Sequence, residues 1–144
     1  MTALFIDTSA WMACADAADE AHATCVAARD RALEAGSRLV TTDFVVDETL
    51  TLIRTRLGLP AAEAWWRQVN ESRRLRWERI DASRFERSLD WFFRQKDKTY
   101  SFTDCTSFLV MRELRLSRAL STDRHFRQAG FTVVPADMRS RRKQ

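Results

Sequence analysis

Short apolar runs alternate with helix-length amphipathic stretches along this chain, and that alternation constrains the fold more than any single motif does. Parallel neighbouring strands need a crossover of a dozen or more residues, which an intervening helix supplies. The reading is therefore α/β, with a central parallel sheet of about five short strands flanked by helices. Strands are expected over 4–6, 38–41, 75–80, 118–121 and 132–134. Helices are expected over 11–18, 20–35, 44–57 and 61–71, then through 95 behind a cap at Asp81 or Ser83. Two more are expected, through 114 behind Ser101 or Thr103, and over 124–129. Ser83 with Glu86 three residues on fits a capping box.

A chain of 144 residues is long enough to bury roughly 68 to 70% of its unfolded surface as one domain. Residues 1–135 are read as that domain and 136–144 as a basic tail. Of the formal charge of +4, Arg139, Arg141, Arg142 and Lys143 against Asp137 place +3 in the tail, leaving +1 for the rest. A bulk positive field is thus no argument for a nucleic-acid partner. Cys14, Cys25 and Cys105 are odd in number and never spaced C-x-x-C, which speaks against a disulfide framework and a structural zinc site. No window holds the roughly 18 consecutive apolar residues of a membrane helix, and no basic segment with an apolar stretch opens the chain. The expected location is cytoplasmic, without a membrane partner.

Four carboxylates stand where an open α/β sheet places its ligands, in the crevice beyond the carboxyl ends of the strands. Asp7 ends the first strand, in Leu4-Phe5-Ile6-Asp7-Thr8-Ser9, and Asp123 follows the fourth. Glu48 lies one turn into the helix after the second strand. On a 3.6-residue period it falls beside Phe44, Val45 and Leu52, whereas Asp47 shares a side with Asp43 and Arg54, so Glu48 reads equally as a ligand or as a carboxylate paired with an Arg at the edge of the core. Asp104 sits in the first turn of a helix nearly free of charge until Arg112, a place the helix dipole favours in any protein. If the four converge they repel one another, and divalent cations are what keep them ionised. Hard oxygen ligands favour Mg²⁺, or Mn²⁺ as a substitute, over zinc.

The neighbouring polar residues have plainer readings. Ser9 reads first as a helix cap, and Thr8, Ser9 and Thr122 are candidate orienting groups. His22 reads as a surface residue. His125 does too, with substrate contact as its second reading. Trp65 and Trp66 are adjacent and cannot both face one core, so one is expected to face a partner chain or to stack on a base, packing being the stronger reading.

Four segments carry a resemblance: F-I-D-T-S-A-W at Phe5 to Trp11, D-E-T-L-T-L at Asp47 to Leu52, S-F-T-D-C at Ser101 to Cys105, and S-T-D-R-H-F at Ser121 to Phe126. In that order they resemble the PIN-domain ribonucleases and, within them, the VapC toxins of bacterial toxin-antitoxin modules. The resemblance implies a PIN-like domain and a metal site from Asp7, Glu48, Asp104 and Asp123; Asp7 and Asp104 are expected as the principal ligands, with Glu48 and Asp123 holding a second ion or outer-shell waters. It also implies Mg²⁺-dependent cleavage of RNA, a homodimer, and inhibition by a VapB-type antitoxin. D-E-T-L-T-L and D-C-T-S-F look like the subgroup that cuts structured RNA such as the sarcin-ricin loop of large ribosomal RNA, transfer RNA being the other expected substrate. A haloacid-dehalogenase phosphatase needs a second Asp where Ser9 stands, and a receiver domain needs an acidic pair near the first strand and a suitably placed late lysine, whereas Lys96 and Lys98 sit in a connector. The alternative is a PIN-like module that binds RNA or protein without cleaving. All four acids are present, which favours the enzyme.

Overall fold

The computed structural model describes residues 2–136. The expected basic tail, from 137 onward, lies outside them. Five strands form one sheet in the order β3-β2-β1-β4-β5, every pair parallel. They are β1 (Ala3–Ile6), β2 (Arg38–Thr42), β3 (Leu75–Glu78), β4 (Arg118–Leu120) and β5 (Thr132–Val134). The expected parallel α/β sheet is what forms.

Burial on both faces explains why β1 reads as an unbroken apolar run. Leu4, Phe5 and Ile6 are all buried, with Phe5 in register with Val40 on one side and Ala119 on the other. From β1 the chain winds outward through β2 to β3, then returns to lay β4 on the opposite side of β1. The winding direction therefore reverses between β1 and β4, which opens a crevice at their carboxyl ends.

Among the described residues seven helices cover the sheet: α1 (Thr8–Ala15), α2 (His22–Glu34), α3 (Asp43–Leu57), α4 (Leu59–Glu71), α5 (Ala82–Arg94), α6 (Phe102–Glu113) and α7 (His125–Gln128). Several ends differ from those expected. α1 starts at Thr8, directly behind the strand, because the Asp7 carbonyl accepts from the Ala10 and Trp11 amides. The cap position belongs to Asp7, and the expected Ser9 cap does not form. α2 starts at His22, since the Asp19 carboxylate accepts from the Ala21 amide at 2.9 Å and holds a turn there. Gly58, at φ 100°, closes α3 and opens α4 in one residue, a conformation that favours glycine. β3 stops at Glu78 because the Ile80 amide leaves the ladder and donates to Asp43 Oδ1 at 3.0 Å. Asp81 caps α5 by accepting from the Arg84 amide, so the Ser83 and Glu86 capping box is not used.

The core lies between sheet and helices and is rich in rings. Phe5, Phe108 and Phe126 are fully buried, with Phe108 and Phe126 edge to face at 5.0 Å. α6 is buried along almost all of its length, from Asp104 to Phe108 and again at Val110 and Met111. Trp65 packs edge-on against Trp11 inside, while Trp66 lies against Trp77 and stays partly exposed. The three cysteines are free, with Cys25 and Cys105 buried. Among the described residues no helix is long and apolar enough to cross a membrane.

Candidate active site

Asp7, Glu48, Asp104 and Asp123 all line one cleft of about 430 Å³ at the carboxyl edge of the sheet. Each arrives on a different element. Asp7 follows β1, Asp123 follows β4, Glu48 stands in the second turn of α3 and Asp104 in the first turn of α6. Thr8, Ser9 and Thr122 line the same cleft. Asp47 does not; it faces a separate apolar cleft together with Asp43, as the helical period required.

Asp7 is 5% exposed and is held by two hydroxyls. Ser9 Oγ donates to Asp7 Oδ2 at 2.8 Å and Ser121 Oγ donates to the same oxygen at 3.0 Å. Both bonds fall on Oδ2, so Oδ1 is free of protein donors among the described residues. Ser9 also accepts from the Thr122 amide at 3.0 Å, and Ser121 from the Asp123 amide at 2.9 Å. These bonds tie the turn after β4 to the turn after β1. Burial pushes the Asp7 carboxyl up to about 6, with the two serine bonds pulling it down and the charges of Asp104 and Asp123 adding to the rise.

Asp104 closes a capping box with Ser101. The Asp104 amide donates to Ser101 Oγ at 2.9 Å, and the Ser101 amide donates to Asp104 Oδ2 at 3.1 Å. The same Oδ2 lies 2.8 Å from His125 Nδ1. Burial raises the Asp104 pKa as well, opposed by the Ser101 amide and by His125. Again one carboxylate oxygen is used by the protein and the other is left. His125 Nδ1 lies 3.3 Å from Asp123 Oδ2, and its backbone amide donates to Asp123 Oδ1 at 3.0 Å. Asp104, Asp123 and His125 thus bring one potential ligand atom each within 4.8 Å of one another. Asp7 and the half-buried Glu48 line the same cleft but stand outside that tight group.

His125 is the residue that the sequence reading misplaced. Its ring is turned inward among the carboxylates, 17% exposed, rather than out from a helix surface. A His two residues after a strand-end Asp was the available signal, since α7 starts at His125 and turns it back toward Asp123. Ser121 was missed as well, because nothing in the residue that follows a strand announces a contact with a carboxylate 114 positions earlier.

The donor set suits a hard divalent cation. Oxygen donors converge, burial raises the pKa of two of the carboxyls, and Thr8 Oγ1 is buried beside Asp7 with no hydrogen-bond partner among the described residues. A buried hydroxyl without a partner is costly unless a ligand satisfies it. A cation there would be held by Asp104 and Asp123, with Asp7 and Glu48 lining the same cleft.

Comparison with known proteins fits this geometry. The chain matches the PIN domain family over residues 4–132. It is 35% identical over 131 residues to the 23S rRNA-specific endonuclease VapC20 of Mycobacterium tuberculosis, across 91% of this chain and 97% of that one. The crystal structure of Mycobacterium tuberculosis VapC20, described as a sarcin-ricin loop cleaving toxin, aligns with a TM-score of 0.81 at 34% identity, covering 90% of this chain and 97% of that chain. FitAcB from Neisseria gonorrhoeae aligns with a TM-score of 0.61 at 14% identity over 90% of this chain and 95% of its own, a likeness of fold alone. With the family match running from β1 to the first residue of β5, and about a third of positions shared with VapC20 along that length, this chain belongs to the PIN-domain family, among its VapC-type toxins.

Proposed function

We propose that this chain is a divalent-metal-dependent endoribonuclease that hydrolyses one phosphodiester bond in structured RNA, with the sarcin-ricin loop of 23S ribosomal RNA as its substrate. The observation that carries the reading is the meeting of Asp7, Glu48, Asp104 and Asp123 in one cleft, Asp7 and Asp104 each with an oxygen to spare. Mg²⁺, with Mn²⁺ as substitute, is the proposed cofactor. A bound cation supplies the positive charge that makes water a nucleophile near neutral pH and offsets charge building on the phosphate. The protein's own part is positioning. Ser9 and Ser121 fix the Asp7 carboxylate, the Ser101 box fixes Asp104, and His125 spaces Asp104 from Asp123.

The substrate assignment is supported by what VapC20 is named for, at 35% identity over 91% of this chain. Its proposed place is the cytoplasm, where ribosomes are, and its proposed inhibitor a VapB-type antitoxin. The proposed homodimer uses the outer face of α5, where Phe85, Phe92 and Phe93 are 41%, 38% and 68% exposed and in ring contact with Phe102 or with each other. An exposed apolar patch of that kind marks an interaction surface.

Purified protein incubated with ribosomal RNA, with Mg²⁺ or with chelator, beside the Asp7→Asn variant, tests the reading when fragment ends are sequenced. One discrete cut that needs Mg²⁺ and vanishes in the variant is expected. Full cleavage by Asp7→Asn would sink the site, and intact RNA under every condition would favour the non-catalytic binding module.

A further inference from the structure

Two clefts meet at the carboxyl edge of the sheet. The first holds the four acids and is also lined by Arg56; the second, likewise about 430 Å³, is lined by Arg124. Asp19, Thr122 and Asp123 line both, so the groove continues past the carboxylates. Arg56 and Arg124 are exposed, and among the described residues neither guanidinium makes a hydrogen bond or an ion pair. That is unexpected for Arg56, since Asp7, Asp19, Glu48, Asp104 and Asp123 line its cleft and none pairs with it. Arginines beside acids elsewhere in the molecule are committed, Arg84 to Glu78 and Glu113, Arg87 to Glu113 and Arg76 to Glu78.

We infer that Arg56 and Arg124 are phosphate-positioning residues, each holding one arm of an RNA strand that crosses the carboxylates between them; the inference rests on the nuclease reading above. Arg56 stands eight positions after Glu48 on α3, about 12 Å along the helix axis. Its phosphate therefore belongs to a flanking nucleotide and not to the bond that is cut. Arg124 directly follows Asp123 and faces the second cleft, which places its phosphate on the other flank. A free guanidinium fork takes two phosphate oxygens without reading the base. Attraction at both flanks offsets the repulsion between RNA phosphates and the five acids, and it centres the strand over them. Neither contact reads sequence, so the pair sets register and affinity while RNA shape sets specificity.

The test is binding, read by fluorescence anisotropy with an RNA hairpin of sarcin-ricin sequence over a series of salt concentrations. The Asp7→Asn protein serves as parent, to keep the RNA intact. Arg56→Ala and Arg124→Ala are each expected to weaken binding about tenfold and to lower the slope of log affinity against log salt by about 1, the double variant by about 2. Lysine at either position is expected to restore the slope, because a point charge still pairs with phosphate. Neutral methylphosphonates walked along the strand then locate each contact. The penalty for neutralising a phosphate on one flank is expected to disappear in Arg56→Ala, and on the other flank in Arg124→Ala. Slopes unchanged in both alanine variants while the parent binds, or methylphosphonate penalties that persist in them, overturn the inference and leave the nuclease reading standing. RNA that neither the parent nor the wild type in chelator binds overturns both.

Discussion

Asp7 answers two opposed demands in one side chain: it is buried like a core residue, yet it lines an open cleft beside other carboxylates. In metal-free protein its carboxyl, raised from 3.8 to about 6, keeps a proton between those values that the unfolded chain has already released. The contribution to stability is therefore complete below about pH 4 and lost as pH rises through about 6, roughly 3 kcal/mol by neutrality. A melting series in chelator should show that decline, and Asp7→Asn should remove it and melt above the wild type at neutral pH. Mg²⁺ at the proposed site is expected to reverse the sign, because a cation held only by the folded carboxylates competes with the proton. Millimolar Mg²⁺ is expected to raise the wild-type Tm at neutral pH and to do little near pH 5; no response at either pH counts against a formed site. His125 and Ser121 belong to this scale too. Both act through contacts 21 and 114 positions away in sequence, which local pattern does not register.

Helix starts double as parts of the cleft, so capping here has a second consequence. Ser101 caps α6 and, through the same box, orients Asp104; Asp81 caps α5, which contributes no residue to the cleft. Ser101→Ala and Asp81→Ala should each cost about 1 kcal/mol in chemical denaturation. Only Ser101→Ala should also lower cleavage, by about tenfold or more, because small displacements of a positioned group cost rate steeply. Equal cleavage by the two variants would mean that the box holds the helix and not the carboxylate. Element type was legible from periodicity, and the ends were not. α1 begins at Thr8 because the Asp7 carbonyl accepts the first helical bonds, and β3 ends at Glu78 because Asp43 captures the Ile80 amide.

At the scale of the molecule, the reversal of strand order between β1 and β4 decides where the acids meet. The same packing leaves the phenylalanine face of α5 outward, where Phe93 is 68% exposed. Phe93→Glu is expected to shift the species seen in sedimentation from dimer to monomer, with the monomer's melting temperature nearly unchanged. A dimer that survives the substitution would move the interface elsewhere. Adjacent Trp65 and Trp66 were expected to part company, and they do: one enters the core against Trp11 and the other lies half out against Trp77.

The alternation of apolar runs and amphipathic segments by itself determined a parallel α/β sheet, since strands separated by helices have few other ways to pair. It also determined which face of α3 carries Glu48 rather than Asp47, because a helix turns by a constant angle per residue. The tertiary structure alone decided that Ser9 and Ser121 share one oxygen of Asp7, that His125 turns in between Asp104 and Asp123, and that Arg56 and Arg124 find no partner among the described residues although acids line their clefts. Those facts depend on distances across the sheet between residues far apart in the chain, and only the folded packing sets such distances.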